Sequence, residues 1–384
     1  MRKILISLCC CLFLSGFLQK KTLLENSPTS SFPVSDTLVL LFAGDVMGHA
    51  PQYKAAYCPE TKNYRYDICF ENVKRYVATA DFAVCNLEVP LAGEPYSGYP
   101  NFSSPDELLD ALKSAGYNII LTANNHAADR GTPGIDRTIR TLMNRKMNYA
   151  GTYLNEKQRD TLYPLLLEKN NLKIAILNYT YGTNGRVVDK PYLVNMLDTL
   201  LISNDIKIAK ARGANFIVAC VHWGEEYFTH SNATQQKMAR WLVARDVDLI
   251  IGGHPHVVQE VDFIQNKNAV PVPVFYSLGN YISNQRKINT DGGIMTRVKI
   301  DMNTRKILST EYLPVYVHKG ILREKYQYHL IPTPDFVSCP ACFPIPSSDS
   351  LALMTFDKNT RERLPKIPVF PCLPIHLLDA DTLE

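Results

Sequence analysis

Leu249-Ile250-Ile251-Gly252-Gly253-His254-Pro255-His256 decides the fold: three apolar residues in a row, two glycines, then two histidines one residue apart. Consecutive apolar positions, rather than alternating ones, suit a short strand covered on both faces. The glycines leave space at the strand's C-terminal end, and in an extended segment both imidazoles can aim at one cavity. Neutral imidazole is the commonest protein metal ligand.

The same unit recurs on either side of this stretch. From Thr37 to about Asn280, apolar runs alternate with polar loops and amphipathic stretches: Thr37–Ala43, Asp81–Cys85, Tyr117–Ala123, Lys173–Asn178, Asn215–Val221, Asp248–Ile251 and Val272–Leu278. Between them, Ser104-Pro105-Asp106-Glu107 predicts a capped helix start ahead of Leu108, Leu109, Leu112 and Ala115. Thr132-Pro133 before Ile135, Ile139 and Leu142 repeats that pattern, and Ile206–Ala211 and Gln235–Ala244 also read as helices. Alternating strands and helices predict an α/β layered fold with largely parallel strands. Leu165–Lys169 and Leu172–Leu177, joined at Asn170-Asn171, predict an inserted hairpin. Gly292–Ile300 and Lys306–Val317 alternate and predict antiparallel strands that extend a second sheet. After Ile331 the prolines, among them Pro332, Pro334, Pro340, Pro344, Pro346 and Pro371, predict a loop-rich extension without long helices.

Five of the units end in a potential ligand: Gly44-Asp45, Asn86-Leu87-Glu88, Asn124-Asn125-His126, His222-Trp223-Gly224 and Gly253-His254-Pro255-His256. Open α/β sheets build their sites at the C-terminal ends of strands. Four of the nine histidines fall in this set. Taken singly, Gly-Asp is a common turn and His222 could be a satisfied core histidine; convergence of five units is what points to a divalent-metal site. Carboxylate and amide oxygens with imidazoles, and no thiolate, suit Mn, Fe or Zn. A carboxylate can bridge two ions about 4 Å apart, which together activate water and clamp a phosphoryl group.

Composition narrows the rest. Of 384 residues, 46% are hydrophobic and 20% charged, an ordinary globular balance. A net charge of +4 with no basic stripe gives no case for nucleic-acid binding. Met1-Arg2-Lys3 followed by the apolar Ile4–Leu18 stretch, closed by Lys20 and Lys21, reads as an export signal over residues 1–22. Leu14-Ser15-Gly16 approaches a lipoprotein cleavage pattern, but Phe17 stands in place of the lipidated Cys; Cys9, Cys10 and Cys11 lie inside the apolar run. Cys85 and Cys220 read as inert buried thiols. Cys58 and Cys69, flanking a Tyr-rich loop, suit a disulfide in an oxidising compartment, and Cys339-Pro-Ala-Cys342 suits a structural bridge.

The order Gly44-Asp45, Asn86-Leu87-Glu88, Asn124-Asn125-His126-x-x-Asp129-x-Gly131, His222-Trp223-Gly224-x-Glu226-Tyr227, Gly252-Gly253-His254-Pro255-His256 and Ser277-Leu278-Gly279-Asn280 resembles the bacterial capsule-synthesis proteins of the CapA, or poly-gamma-glutamate biosynthesis, type. These are a branch of the calcineurin-like metallophosphatases. The resemblance implies a double β-sheet sandwich flanked by helices over residues 37–285, completed by strands in 286–330, with residues 331–384 as the proline-containing extension. It implies one or two divalent ions: Asp45 and His256 on one, Asn125, His222 and His254 on the other, Glu88 bridging. His126 would be the general acid, oriented by Asp129, and Asn124, Glu226, Tyr227 and Asn280 would line the substrate. Two positions depart from the wider pattern. Met47 stands where a His is usual, with His49 the candidate to replace it, and Glu88 replaces an Asp. The implied activity is a metal-dependent, phosphoesterase-like hydrolase in the cell envelope acting on an anionic polymer or phosphoester, with a membrane-bound polymer synthase or exporter as partner. Two other readings stay open: a general metallophosphoesterase without a capsule role, and a non-catalytic metal-stabilised accessory protein.

Overall fold

The computed structural model describes residues 36–323 and 325–374. The expected export segment over 1–22 and the last ten residues lie outside the described residues.

Two sheets carry the molecule. In the first, Thr37–Val46 pairs in parallel with Phe82–Leu87, which is followed outward by Ile119–Leu121 and Asn148–Ala150, all parallel. On its other side Thr37–Val46 meets Gly292–Asp301, and the sheet continues antiparallel through Ile307–Leu322 and Lys325–Pro332. In the second sheet, Leu172–Thr180, Phe216–His222, Leu249–Gly253 and Pro271–Phe275 run parallel, with antiparallel edges Leu165–Lys169 and Val261–Gln265. The fold is thus an α/β double-sheet arrangement with helices alongside. One continuous buried cluster takes in Leu40 and Val84 of the first sheet, Ile176 and Val218 of the second, and Leu112, Ile139, Ile202 and Leu242 of the helices.

The consecutive apolar runs behave as expected of strands covered on both faces: every residue of Phe216–His222 is buried. The hairpin at Asn170-Asn171 forms, with Lys169 opposite Leu172 and Asn170 at φ +52° supplying the tight turn. The Gly292–Asp301 and Ile307–Leu322 strands are antiparallel as expected, but they extend the first sheet, beside Thr37–Val46.

Three expectations need correction. The helix after Ser104 runs Glu107–Ala115 with Asp106 before it, and Ser104 is buried with an unpartnered hydroxyl instead of capping it. Cys58 and Cys69 are free: Cys69 points into the core from the short Asp67–Phe70 helix, whereas Cys58 sits on a half-exposed hairpin and donates to Glu60 Oε2 at 3.1 Å. The third concerns the proline-rich extension, which holds a 17-residue helix, Ser347–Arg363, in the proline-free interval between Pro346 and Pro365. Its Leu353 and Phe356 pack with Tyr316, Ile331, Phe336 and Phe343 against the outer strands of the first sheet. Phe370 then donates its N–H to Tyr312 O at 2.8 Å, tying the chain back to the same sheet. Cys339 and Cys342 are disulfide-bonded, and Cys85 and Cys220 are buried thiols whose pKa burial raises.

A buried amide ties the two sheets at the end that matters. Asn178, in the second sheet, accepts from the N–H groups of Ala123 at 2.8 Å and Thr122 at 3.2 Å, and donates to Cys220 O at 3.2 Å. Asn178→Ala leaves the Ala123 N–H and the Cys220 carbonyl with lost partners, at a cost of roughly 1–3 kcal/mol for an orphaned buried group. Thermal unfolding should show Tm lower by about 3–8 °C. An unchanged Tm would mean that the tie contributes nothing.

Candidate metal centre

Strand register assembles the site. Asp45 lies opposite Asn86 on one side and Asn280 on the other, all at the C-terminal end of the first sheet. In the second sheet His222 lies opposite Gly253 and Thr180. The pairing between Thr37–Val46 and Phe82–Leu87 shifts at Gly44, where a Cβ would stand 2.0 Å from Gly279 O. That close approach lets the Asp45 N–H reach Gly279 O at 3.0 Å and turns the Asp45 carboxylate toward the second sheet. Gly252 is constrained likewise: a Cβ there would sit 2.0 Å from Tyr276 O.

The carboxylates and imidazoles predicted to converge do so. Asp45, Glu88, Asn125, His126, His222, His254 and His256 are all buried. Glu88 Oε1 stands 3.3 Å from His222 Nε2 and 3.7 Å from His256 Nε2, while His256 Nδ1 is 3.5 Å from Asp45 Oδ2. His222 Nε2 also donates to Asn125 Oδ1 at 2.7 Å, and the His254 backbone N–H donates to Asp45 Oδ2 at 3.1 Å. Three overlapping groups have ligand atoms close enough to share an ion: Glu88, His222 and His254; Asp45, Glu88 and His256; and Glu226, His254 and His256. Glu226, expected to line the substrate, is thereby placed among potential ligands. His49 is in none of these groups. Its Nδ1 faces Gln52 Oε1 at 3.1 Å and its ring packs edge-on against Phe102. Met47 is buried in the core.

The segment carrying His254 and His256 is not extended, as the sequence suggested. His254 has φ +98° and His256 φ +58°, a left-handed conformation on both sides of Pro255. Such a residue costs of order 1–3 kcal/mol, and strain of this kind clusters at functional sites. The bend sends His256 between Asp45 and Glu88 and leaves His254 beside His222, ring centroids 4.9 Å apart. Asn124-Asn125-His126 forms a turn. Asn125 faces His222, whereas His126 Nδ1 is held 2.8 Å from Asp129 Oδ2, which also accepts from the Phe102 N–H at 2.9 Å.

Burial sets the electrostatics. It pushes the Glu88 carboxyl well above its ordinary range, with Asp45 adding to the effect. It pushes His222 down to about 3 and His254 down to about 2, so both rings are neutral, the form that ligates. For Asp45 burial pulls upward, but His256 and His222 outweigh it and hold the carboxyl below the usual range. His256 is raised to about 9: burial alone would lower it, and Glu88 and Asp45 override that. His49 is lowered to about 4 by burial.

The donors fit a cation. Both Glu88 oxygens, His254 Nδ1 and Asn124 Oδ1 are buried with no hydrogen-bond partner. Orphaned buried groups of this kind cost about 1–3 kcal/mol each, and Glu88 and His254, whose ligand atoms lie within 4.8 Å of one another, call for a shared electropositive partner. The set has oxygen and imidazole donors and no thiolate among the described residues.

Five residues matter here that sequence reasoning missed or misplaced. Asn86 Nδ2 donates to Asp45 Oδ1 at 2.8 Å and to His222 Nδ1 at 3.3 Å, orienting both; its position two residues before Glu88 was the available signal. Tyr181 lies over His254 with centroids 4.6 Å apart, and Asn184 accepts from Asn125 Nδ2 at 3.2 Å. Asn280 is fully buried behind the site: its Oδ1 meets His256 Nδ1 at 3.1 Å and its Nδ2 donates to Thr290 O and Gln285 Oε1. Asn124 similarly donates to Asn86 Oδ1 and Leu87 O. Tyr227 is half-exposed beside His256.

Comparison with known proteins gives a consistent picture. The family model described as "Bacterial capsule synthesis protein PGA_cap" matches residues 39–285. "Capsule biosynthesis protein CapA" of Bacillus anthracis is 27% identical over 298 residues, covering 74% of this chain and 69% of the relative. "PGA biosynthesis protein CapA" of Bacillus subtilis is 25% identical over 298 residues, covering 74% and 73%. Among solved structures, the calcineurin-like phosphoesterase YfkN from Bacillus subtilis is similar with a TM-score of 0.40 at 14% identity, covering 85% of this chain and 98% of that one.

Proposed function

The chain belongs to the bacterial capsule synthesis protein family, and from that premise we propose that it is an exported, metal-dependent hydrolase of the cell envelope, acting on an anionic surface polymer or a phosphoester. The observation that carries the reading is Glu88, a fully buried carboxylate with no hydrogen bond to either oxygen, set among Asp45, His222 and His256. Asp45 and His256 would hold one divalent ion, Asn125, His222 and His254 a second, and Glu88 stands between the two sets. One or two ions of Mn, Fe or Zn suit these donors. When bound, such ions supply Lewis acidity and lower the pKa of water.

The chain's own residues supply the rest. Asn86 and Asn280 orient Asp45, His222 and His256, so the ligands are held before any ion arrives. Asp129 fixes the His126 ring by its Nδ1, which leaves Nε2 to move a proton at the leaving atom. Phe102, edge-on to His126 with centroids 4.8 Å apart, backs that ring with an apolar wall. The reading of residues 1–22 as an export signal rests on the charged start and apolar run alone. No helix among the described residues is long and apolar enough to cross a membrane.

Elemental analysis of the purified protein and hydrolysis of a simple aryl phosphate with and without Mn test the proposal. The expected result is bound transition metal and metal-dependent turnover. Chelation should lower Tm by roughly 5 °C, as expected for loss of a ligand present at about a hundredfold excess over its Kd. Protein that holds no metal and gains no activity from Mn would overturn it; bound metal without turnover would favour the accessory role.

A further inference from the structure

Beside the His126–Asp129 pair lies an open cleft lined by Tyr96, Tyr99, Asn101, Asp129, Arg130 and Arg186. Its two arginines come from separate loops: Arg130 precedes the Gly131–Asn144 helix, and Arg186 closes a turn with Thr183 after the Leu172–Thr180 strand. Arg130 Nη1 donates to Pro95 O and Ser97 Oγ, both at 3.1 Å, and Arg186 Nη2 donates to Asn101 Oδ1. All these partners are neutral, so neither guanidinium is compensated by an ion pair among the described residues. Asp129, the carboxylate in the cleft wall, is committed to His126 Nδ1 and the Phe102 N–H. A guanidinium carries five donors, so both arginines keep unused ones.

Two cations without an ion-pair partner line one cleft, and like charges repel. The arrangement is accounted for by a ligand that supplies the missing negative charge. An aromatic path joins the cleft to the catalytic side: Tyr99, 74% exposed, lies against Phe102 at 6.3 Å, and Phe102 lies against His126 at 4.8 Å. Asp129, which lines the cleft, and Phe102 both touch His126, so the cleft adjoins the wall that holds that ring.

We propose that this cleft is an anion subsite, holding a carboxylate or phosphate of the substrate that lies beyond the bond being cleaved. The proposal rests on the hydrolase reading above and adds its specificity. Arg130 and Arg186 present planar forks suited to an oxyanion, and the exposed Tyr99 ring offers a face for the adjoining backbone or ring. A chain with repeating charge would place one anionic group here while offering a neighbouring bond to His126. The site thus favours an extended polyanion over a short ester.

The test measures binding directly, so it stays readable whether or not the protein turns a substrate over. Fluorescence anisotropy would follow labelled glutamate oligomer, polyphosphate and neutral dextran on the wild type, on Arg186→Gln and on Arg130→Gln/Arg186→Gln. Arg186 is exposed, so the single variant should fold even if removing the Arg130 contacts to Pro95 and Ser97 loosens that loop. Wild-type protein should bind one of the anionic probes and not dextran; which probe binds identifies the carboxylate or the phosphate as the source. Loss of one charged hydrogen-bonding group should weaken that binding about tenfold, and the double variant more, with a shallower dependence on salt. Equal affinity of wild type and both variants for the anionic probes would overturn the subsite, as would wild-type protein that binds neither probe.

Discussion

His222→Ala and His254→Ala should each yield folded protein that has lost its metal. Both rings are buried, neutral and aimed into the same cavity, where His222 Nε2 lies 3.3 Å from Glu88 Oε1 and His254 Nδ1 has no partner. Removing an outer partner of a metal ligand already costs about 10- to 100-fold in affinity or activity. Removing a ligand should cost more, so metal content should fall to below about a tenth of the wild-type level. The two variants differ in a useful way. His222 also bonds Asn125 and receives a hydrogen bond from Asn86, so its loss disturbs two neighbours, whereas the His254 side chain has no hydrogen bond to lose. His254→Ala should therefore melt close to the chelated wild type, and also relieves little backbone strain, since Ala at φ +98° is no easier than His. His222→Ala should melt lower than His254→Ala by an amount of order 1–3 kcal/mol for its orphaned partners. Elemental analysis that finds wild-type metal in both variants would remove the centre as drawn.

How much of this could be read from the sequence follows from where each signal resides. Strands covered on both faces write themselves as unbroken apolar runs, and the residues after those runs sit at strand ends by geometry alone. Asp45, Glu88, His222 and His254 were legible for that reason. What the runs do not encode is loop conformation. Tyr181-Gly182-Thr183-Asn184-Gly185-Arg186 carries no apolar run and no ligand motif, yet it brings three side chains to the site or its cleft, because its start is fixed by Thr180 pairing beside His222. The left-handed backbone at His254 and His256 has no local signature, since only tertiary contacts over-determine such angles. The Ser347–Arg363 helix was hidden by a different cause: counting prolines across the tail obscured an interval that holds none. Asn178 had a legible signal, a polar amide inside an apolar strand, whose meaning required knowing that Ala123, just past the Ile119–Leu121 strand of the other sheet, would face it.

His126→Ala should separate proton transfer from metal holding. The ring is buried and its Nδ1 is anchored on Asp129, which is anchored in turn by the Phe102 N–H, so its orientation is fixed by a chain of hydrogen bonds independent of the metal ligands. His126 is also absent from every group whose ligand atoms could share an ion. A positioned acid is worth about 100- to 10,000-fold in rate. The variant should therefore retain wild-type metal and melt within a few degrees of wild type, while losing that factor on an alkyl phosphate and much less on an aryl phosphate whose leaving group needs no proton. Asp129→Asn should keep the ring in place but weaken its anchor, giving a smaller loss with the same dependence on the leaving group. Unchanged turnover of the alkyl ester in His126→Ala would rule out the acid role. Loss of metal together with activity would make His126 a ligand, and Asn125, the neighbour that faces His222 at 2.7 Å, would then be its orienting partner rather than the donor to the ion.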